Sequence, residues 1–218
     1  MISISLFGKI YRSVYFCDSM NKAAKTRQHI IESVAPVFNK QGYVGTALSD
    51  IEVATGLSKG AIYGNFGNKD ELARACFKHN LKPLQRGLMR SLASPGSSVD
   101  KLKALTRFYR EHFELVASRG GCPLMNTSIE ADDTLPFLKV LVQQRIDSWQ
   151  QELSNLVKLG QAEGSIAPDA DEKQFSISAI ALIEGGILLA KAMDDASYFS
   201  RVMDQLDELI DKELKIDK

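Results

Sequence analysis

From Met20 to the C-terminus, apolar residues recur every three or four positions, and the alternation that marks a strand is missing. That spacing puts apolar groups on one face of successive helices and gives a half-buried strand nothing to use. The chain is therefore read as all-α. Ile30, Ile31, Val34 and Phe38 form a first stripe ended by Gly42, with Pro36 inside it. A proline there predicts a kink or a missing hydrogen bond. Three pieces follow, at 48–55, at 58–66 and from Lys69 onward, where Asn68 and Glu71 have the spacing of a capping box.

The later helices are read in the same way. Pro83 sits inside the helix from Lys69, and Ser94-Pro-Gly-Ser-Ser98 is a loop. Leu102, Leu105, Phe108, Phe113 and Val116 make an amphipathic helix, broken at Arg119-Gly-Gly-Cys-Pro123. Pro136 suits the first turn of a long helix through Val157. Residues 164–168 break it. Residues 171–193 are apolar on several sides, which suits a helix buried on several sides. Phe199, Val202, Leu206, Ile210 and Leu214 form the last stripe.

Charge limits the function. The 218 residues hold 27 Lys+Arg and 27 Asp+Glu, a net charge of zero. No general excess of positive charge exists to coat nucleic acid. The neutrality is local bookkeeping, however. Residues 20–80 hold eight cations against five anions, a net +3, and residues 81–218 hold 17 against 21, a net −4. A modestly basic end precedes an acidic body. The three cysteines, Cys17, Cys76 and Cys122, show no CxxC spacing. Neither a disulfide framework nor a metal site is expected, no cofactor is implied, and a reducing cytoplasm is the expected location. The longest apolar run, 177–190, is interrupted by Glu184, is too short to span a bilayer and implies no membrane partner. Residues 1–19 lack the helical stripe and are expected to be a dispensable extension, with Met20 a plausible start of its own. Lys9 and Arg12 split the apolar stretch that a signal peptide would need.

The informative stretch is TALSDIEVATGLSKGAIYGNFGNKDEL, residues 46–72. Two short helices joined at Gly56 have the form of a helix-turn-helix. Gly56 can take the positive φ of a tight turn. Ile51, Ala54, Leu57 and Ile62 are read as the filling between the helices, and Ser58 as the cap of the second. That second helix is small and polar, with Gly60 and Gly64 inside it, and is a poor helix by propensity. Pressed into a major groove it makes sense, because small residues let the backbone approach while Lys59, Tyr63 and Asn65 reach phosphates or base edges.

These residues resemble the TetR family of bacterial transcriptional regulators. The match runs from Thr26-Arg-x-x-Ile30-Ile31 through Phe38-x-x-x-Gly42-Tyr43 and Thr46. It continues with Asp50-Ile51, Gly56-Leu57-Ser58-Lys59-Gly60, Tyr63-x-x-Phe66 and Lys69-x-Glu71-Leu72. Glu52 and Thr55 depart from it, standing where the family carries small residues, and Asn65 stands where histidine is common. The resemblance implies an N-terminal three-helix DNA-binding domain, residues 20–68, joined to a larger helical ligand-binding and dimerisation domain, residues 69–218. Thr46 is then expected to cap the first motif helix and touch phosphate. Ser58, Lys59, Gly60 and Ala61 are expected at the groove-facing start of the recognition helix, Tyr63 and Lys69 at backbone phosphate, and Asn65 at phosphates or base edges. Phe38 and Phe66 are expected in the core.

The resemblance further implies a homodimer on a double-stranded DNA operator, a repressor released by a small-molecule effector. The last two helices are the expected dimer face, with Ser176, Ser178, Ala179, Ala181, Gly185 and Gly186 keeping one of them slim. Tyr109, His112, Phe113, Met125, Phe137 and Trp149 are candidate lining of an effector pocket, each also readable as plain core. Cys122, at the Gly-Gly-Cys-Pro break, is a candidate pocket residue and a candidate reactive thiol, with a small buried hydrophobe the plainer reading. An alternative is a DNA-bound, protein-partnered helix-turn-helix protein without induction. An enzyme is disfavoured, because His29, His79 and His112 are scattered and no nucleophile-base spacing or phosphate-cradling motif appears.

Overall fold

The computed structural model describes residues 5–93 and 95–214, with side chains from residue 22 onward. Among the described residues there are nine α-helices and no strand. They are α1 (Ser5–Gly45), α2 (Leu48–Thr55), α3 (Lys59–Phe66), α4 (Lys69–Leu92), α5 (Ser98–Ser118), α6 (Pro123–Thr134), α7 (Pro136–Glu163), α8 (Glu172–Ala192) and α9 (Ala196–Leu209). A wider helical turn, Ile210–Leu214, follows α9. The chain forms two compact units, Met1–His79 and Asn80–Lys218, so α4 contributes to both.

In α1 the helical backbone continues through Pro36, which lies on the exposed face. The proline removes one N–H donor, but on that face water can hydrate the freed carbonyl. The break falls at Gly42 instead, at φ 77 and ψ 171. The helix also reaches back to Ser5, through a segment whose sequence carries no stripe. Residues 1–4 and the side chains up to residue 21 lie outside the described residues, and with them the expectation of a dispensable extension.

The first unit is built on one apolar cluster. Ile30, Val34 and Ala35 of α1 meet Ile51 of α2, Ile62 and Phe66 of α3, and Leu72 and Cys76 of α4, all buried. Phe38 is partly buried against this cluster. A fully buried Ile, Leu or Phe contributes about 1.5–3 kcal/mol, which lets a short, glycine-containing α3 hold its shape. In the same core, burial pushes the Cys76 thiol up to about 12.

The second unit is a bundle in which α8 packs against both α7 and α9, and α5 against α9. By length and composition α8 could cross a membrane, being longer than its uninterrupted apolar run. Here its Phe175, Ala179, Ile183, Ile187 and Ala190 are instead buried in the bundle. Asp171 caps α8 and Asp195 caps α9 through backbone N–H groups. Ser97 and Asp100 form a reciprocal capping box at α5, and the Ser97 hydroxyl and N–H, both donating to the Asp100 carboxylate, hold it below its ordinary value. A polar seam joins α5 to α9 and the turn after it. Arg110 reaches Asp204 at 2.6 Å and Asp207 at 2.9 Å, Thr106 donates to Asp207, and Lys103 meets Asp211 at 2.7 Å.

Candidate nucleic-acid interface

The helix-turn-helix is α2, the turn at Gly56 and α3. Gly56 has φ 67, and its N–H closes α2 on the Glu52 carbonyl. An L side chain rarely adopts that backbone. Around the turn the polar groups are used internally. His29 Nε2 lies 3.0 Å from the Thr55 carbonyl, tying α1 to the end of α2. Thr55 is buried, donates its hydroxyl to the Ile51 carbonyl at 2.7 Å and accepts the Leu57 N–H at 3.3 Å. The Glu52 carboxylate accepts the Lys59 N–H at 2.8 Å. A negative charge therefore sits at the N-terminus of α3, where free N–H groups and the helix dipole favour it. Two of the three departures from the family pattern, Glu52 and Thr55, thus act on the motif's own geometry.

Ser58 caps α3 by accepting the Ala61 N–H at 3.4 Å. Ser58, Lys59, Gly60 and Gly64 are exposed, whereas Ile62 and Phe66 on the other face are buried. At Gly60 and Gly64 a Cβ would meet nothing within 4 Å, and neither residue has positive φ. Internal packing and backbone conformation therefore give no reason for either glycine, and Gly64 costs the helix about 1 kcal/mol relative to alanine, Gly60 in the first turn less. What remains is a flat, small-residue outer face with Lys59 at its start.

Several expected contact residues are occupied elsewhere. Thr46 is 1 % exposed and donates to the Gly42 carbonyl at 2.6 Å. It does not cap α2: the cap position is Ala47, whose N–H donates to Asp50 at 2.7 Å. Asn65 turns its amide back onto the Ala61 carbonyl at 2.8 Å. Its own carbonyl accepts from Arg27, whose guanidinium lies 3.9 Å over the Phe66 ring. Tyr63 is partly buried against the core cluster. The Lys69 ammonium lies over the Tyr43 ring at 4.2 Å and donates to the Tyr43 carbonyl at 2.5 Å, while the Tyr43 hydroxyl donates to Asp70. This pins the start of α4 to the end of α1. Asn68 caps that start, accepting the Glu71 N–H at 2.9 Å.

Residues 30–76 match the model for bacterial regulatory proteins of the tetR family, and residues 98–206 match that for the tetracyclin repressor-like C-terminal domain. The chain belongs to the TetR family. Like the rest of that family, it is a DNA-binding regulator of transcription. This TetR-family chain is 35% identical to a TetR transcriptional regulator from Chloroflexus aurantiacus J-10-FL, with a TM-score of 0.84 over 90% of this chain and all of that one. A TetR-family regulator from Cytophaga hutchinsonii is 38% identical, with a TM-score of 0.82 over 90% of this chain and 98% of the other. A third relative is the HTH-type transcriptional repressor DhaR of Mycobacterium sp. (strain GP1), 27% identical over 165 residues, 76% of this chain and 82% of that one.

The C-terminal unit of this TetR-family chain holds a small, partly open cavity. Tyr109, Cys122 and Trp149, three of the candidate lining residues, stand in its wall with Arg145 and Glu184. His112, Phe113, Met125 and Phe137 are not in its wall. Phe113 stacks on Phe199 at 4.6 Å, and His112 stacks on Phe108 at 4.2 Å while bonding the Phe108 carbonyl. The Cys122 thiol donates to Glu184 Oε1 at 3.0 Å. Burial, with the Glu184 charge beside it, holds that thiol protonated well above its ordinary value. A thiolate-based sensor needs the opposite shift, so the geometry favours the unreactive reading of Cys122. Glu184 is only partly covered as a residue, but its Oε2 is fully buried, and burial of the carboxylate raises its pKa to about 7. The sequence signal for it was a lone acid inside an apolar run.

The slim face of α8 divides. Ser176 and Ala179 are fully buried, and a Cβ at Gly186 would press on Phe199 and Val202. Those three residues serve packing within the chain. Ala181 and Gly185 lie outward, Gly185 with open space at its Cβ position, between Ile177 and Leu188, each 47 % exposed.

Proposed function

We propose that the protein is a ligand-responsive repressor of the cytoplasm that binds a palindromic operator as a homodimer and leaves it when a small molecule binds the C-terminal unit. One observation carries the operator-binding part. The outer face of α3 presents Lys59, Gly60 and Gly64 to solvent, with two glycines that nothing inside the chain requires. A helix that must let its backbone approach a major groove has that use for them. Lys59 supplies a phosphate or base-edge contact, Ser58 and Ala61 flank it, and Tyr63 reaches backbone phosphate from the edge of the core. Thr46, Asn65 and Lys69 act one step back, holding the end of α1, the body of α3 and the start of α4.

The dimer is supported by the exposed, small-and-apolar face of α8, which suits a partner helix, and by the two-fold logic of helix-turn-helix binding. The name of the relative DhaR supports repression. Effector control is supported by α4, which gives Leu72 and Cys76 to the DNA-binding core and Leu81, Leu84 and Leu88 to the cavity wall. An effector shifts the equilibrium only by its differential affinity for the two states.

Footprinting on DNA upstream of the protein's own gene tests this reading. A palindromic footprint lost on adding a small molecule is the expected result. Binding that no small molecule alters would remove the inducible part and favour a protein-partnered role, and no binding even at low salt would overturn the reading.

A further inference from the structure

Two residues that line the cavity of the C-terminal unit carry unmatched polar atoms. The Trp149 indole N–H, on a residue 2 % exposed, is buried without an acceptor, and Glu184 Oε2 is buried without a donor. The other Glu184 oxygen is already taken by the Cys122 thiol. Both residues line the same cavity, whose apolar wall includes Leu84 and Leu88. Buried polar groups are nearly always paired, so a missing donor and a missing acceptor in one wall describe the group that fits there.

Above about pH 7, where Glu184 is ionised, that group is a hydroxyl, which can accept from the indole N–H and donate to the carboxylate at once. A protonated amine offers donors only and leaves the indole unanswered. A carboxylate ligand offers acceptors only and meets Glu184 as a like charge. A net charge set against leucines is costly in either case. The cavity volume, about 20 Å³, suits a polar head of one heavy atom. Leu84 and Gln85 are only half-buried, so an apolar body can lie along them.

The geometry points to this cavity as an effector site for uncharged molecules that carry a hydroxyl on a compact apolar body. The inference rests on the reading that a small molecule controls DNA binding, and it names the class. Trp149 is the only tryptophan in the sequence, so its emission reports on the site directly.

The full chain is titrated at about pH 8, where Glu184 is ionised, with cyclohexanol, methylcyclohexane and cyclohexylammonium. Cyclohexanol should change Trp149 emission saturably and bind roughly 10- to 100-fold more tightly than methylcyclohexane, with the ammonium weaker than the alcohol. Glu184→Leu should abolish the preference for the alcohol over the hydrocarbon. The wild-type series decides alone if that variant does not fold. Equal binding of alcohol and hydrocarbon, tighter binding of the ammonium, or no saturable response would each overturn the assignment. Operator release is followed in parallel by gel shift. Alcohol binding without release upholds the site and removes the inducible reading. Release without a Trp149 response removes the site and leaves that reading.

Discussion

The Glu52 carboxylate accepts the Lys59 backbone N–H at 2.8 Å, across the turn and seven residues along the chain. One side chain of α2 thereby fixes the start of α3. Glu52→Ala frees that N–H and removes the negative charge from the helix terminus, at a cost of about 0.5–2 kcal/mol. Glu52→Gln keeps the acceptor and should lose less. Operator affinity should fall in the same order, with Glu52→Ala weaker than Glu52→Gln. Equal affinity for all three proteins would show that the bond does not position α3.

Gly60 and Gly64 should separate stability from binding. Replacing Gly64 inside α3 by alanine gains about 1 kcal/mol of helix propensity, Gly60 in the first turn gains less, and no atom within 4 Å opposes either new methyl. Gly60→Ala and Gly64→Ala should therefore raise the melting temperature or leave it unchanged while weakening operator binding at least tenfold. Paired melting and gel-shift curves check this. Retained affinity in both variants would mean that α3 does not approach DNA closely on this face.

The two lysines of the motif should respond differently to salt. Lys59 is exposed at the start of α3, whereas the Lys69 ammonium lies on the Tyr43 ring and carbonyl. Lys59→Ala should reduce the slope of log affinity against log salt by about one. Lys69→Ala should lower the stability of the first unit and weaken binding to every sequence alike, with the slope unchanged. A drop of about one for Lys69→Ala would instead place its ammonium on a phosphate in the complex.

The motif was legible because its signals are local. The helix at 48–55, Gly56 and the Ser58 cap are read from residue types a few positions apart, and the structure places them there. What was not legible depends on where side chains turn. Thr46, Asn65 and Lys69 are hydrogen-bonding residues beside a DNA-binding motif, and sequence cannot say that a carbonyl of the chain itself takes each one. Glu52 had a usable signal, an acid seven residues before a helix start, but only the turn brings the two together. In the C-terminal unit the amphipathic stripes gave the helices. The grouping of Tyr109, Trp149 and Glu184 needed the packing of α5, α7 and α8, which lie far apart in sequence.

Glu184 makes the stability of the C-terminal unit depend on pH. Its carboxyl is raised from an ordinary 4.5 to about 7 by burial. The folded chain then holds this proton where the unfolded chain has lost it. Stability from this group is greatest below about pH 4.5, falls as pH rises through about 7, and is flat above that. Glu184→Gln cannot ionise and should remove the decline, gaining up to about 3 kcal/mol over wild type at about pH 8 and little at about pH 5. Urea denaturation of both proteins at the two pH values measures it. A gain independent of pH would show that the carboxyl titrates normally.

Ile177 and Leu188 expose about half of their surface on the α8 face that carries Ala181 and Gly185. A partner helix seated there would bury both. An aspartate at either position would place a charge in that interface, with little effect on a monomer in which the site faces water. Ile177→Asp and Leu188→Asp should therefore give a particle near the 24.1 kDa chain mass with unchanged helical circular dichroism, whereas the wild type should sediment at twice that mass. Operator affinity should fall steeply in the same variants, because a monomer reaches only one half-site. Variants that still sediment as dimers would move the interface off this face. A wild type that sediments as a monomer at micromolar concentration would remove the dimer from the proposal.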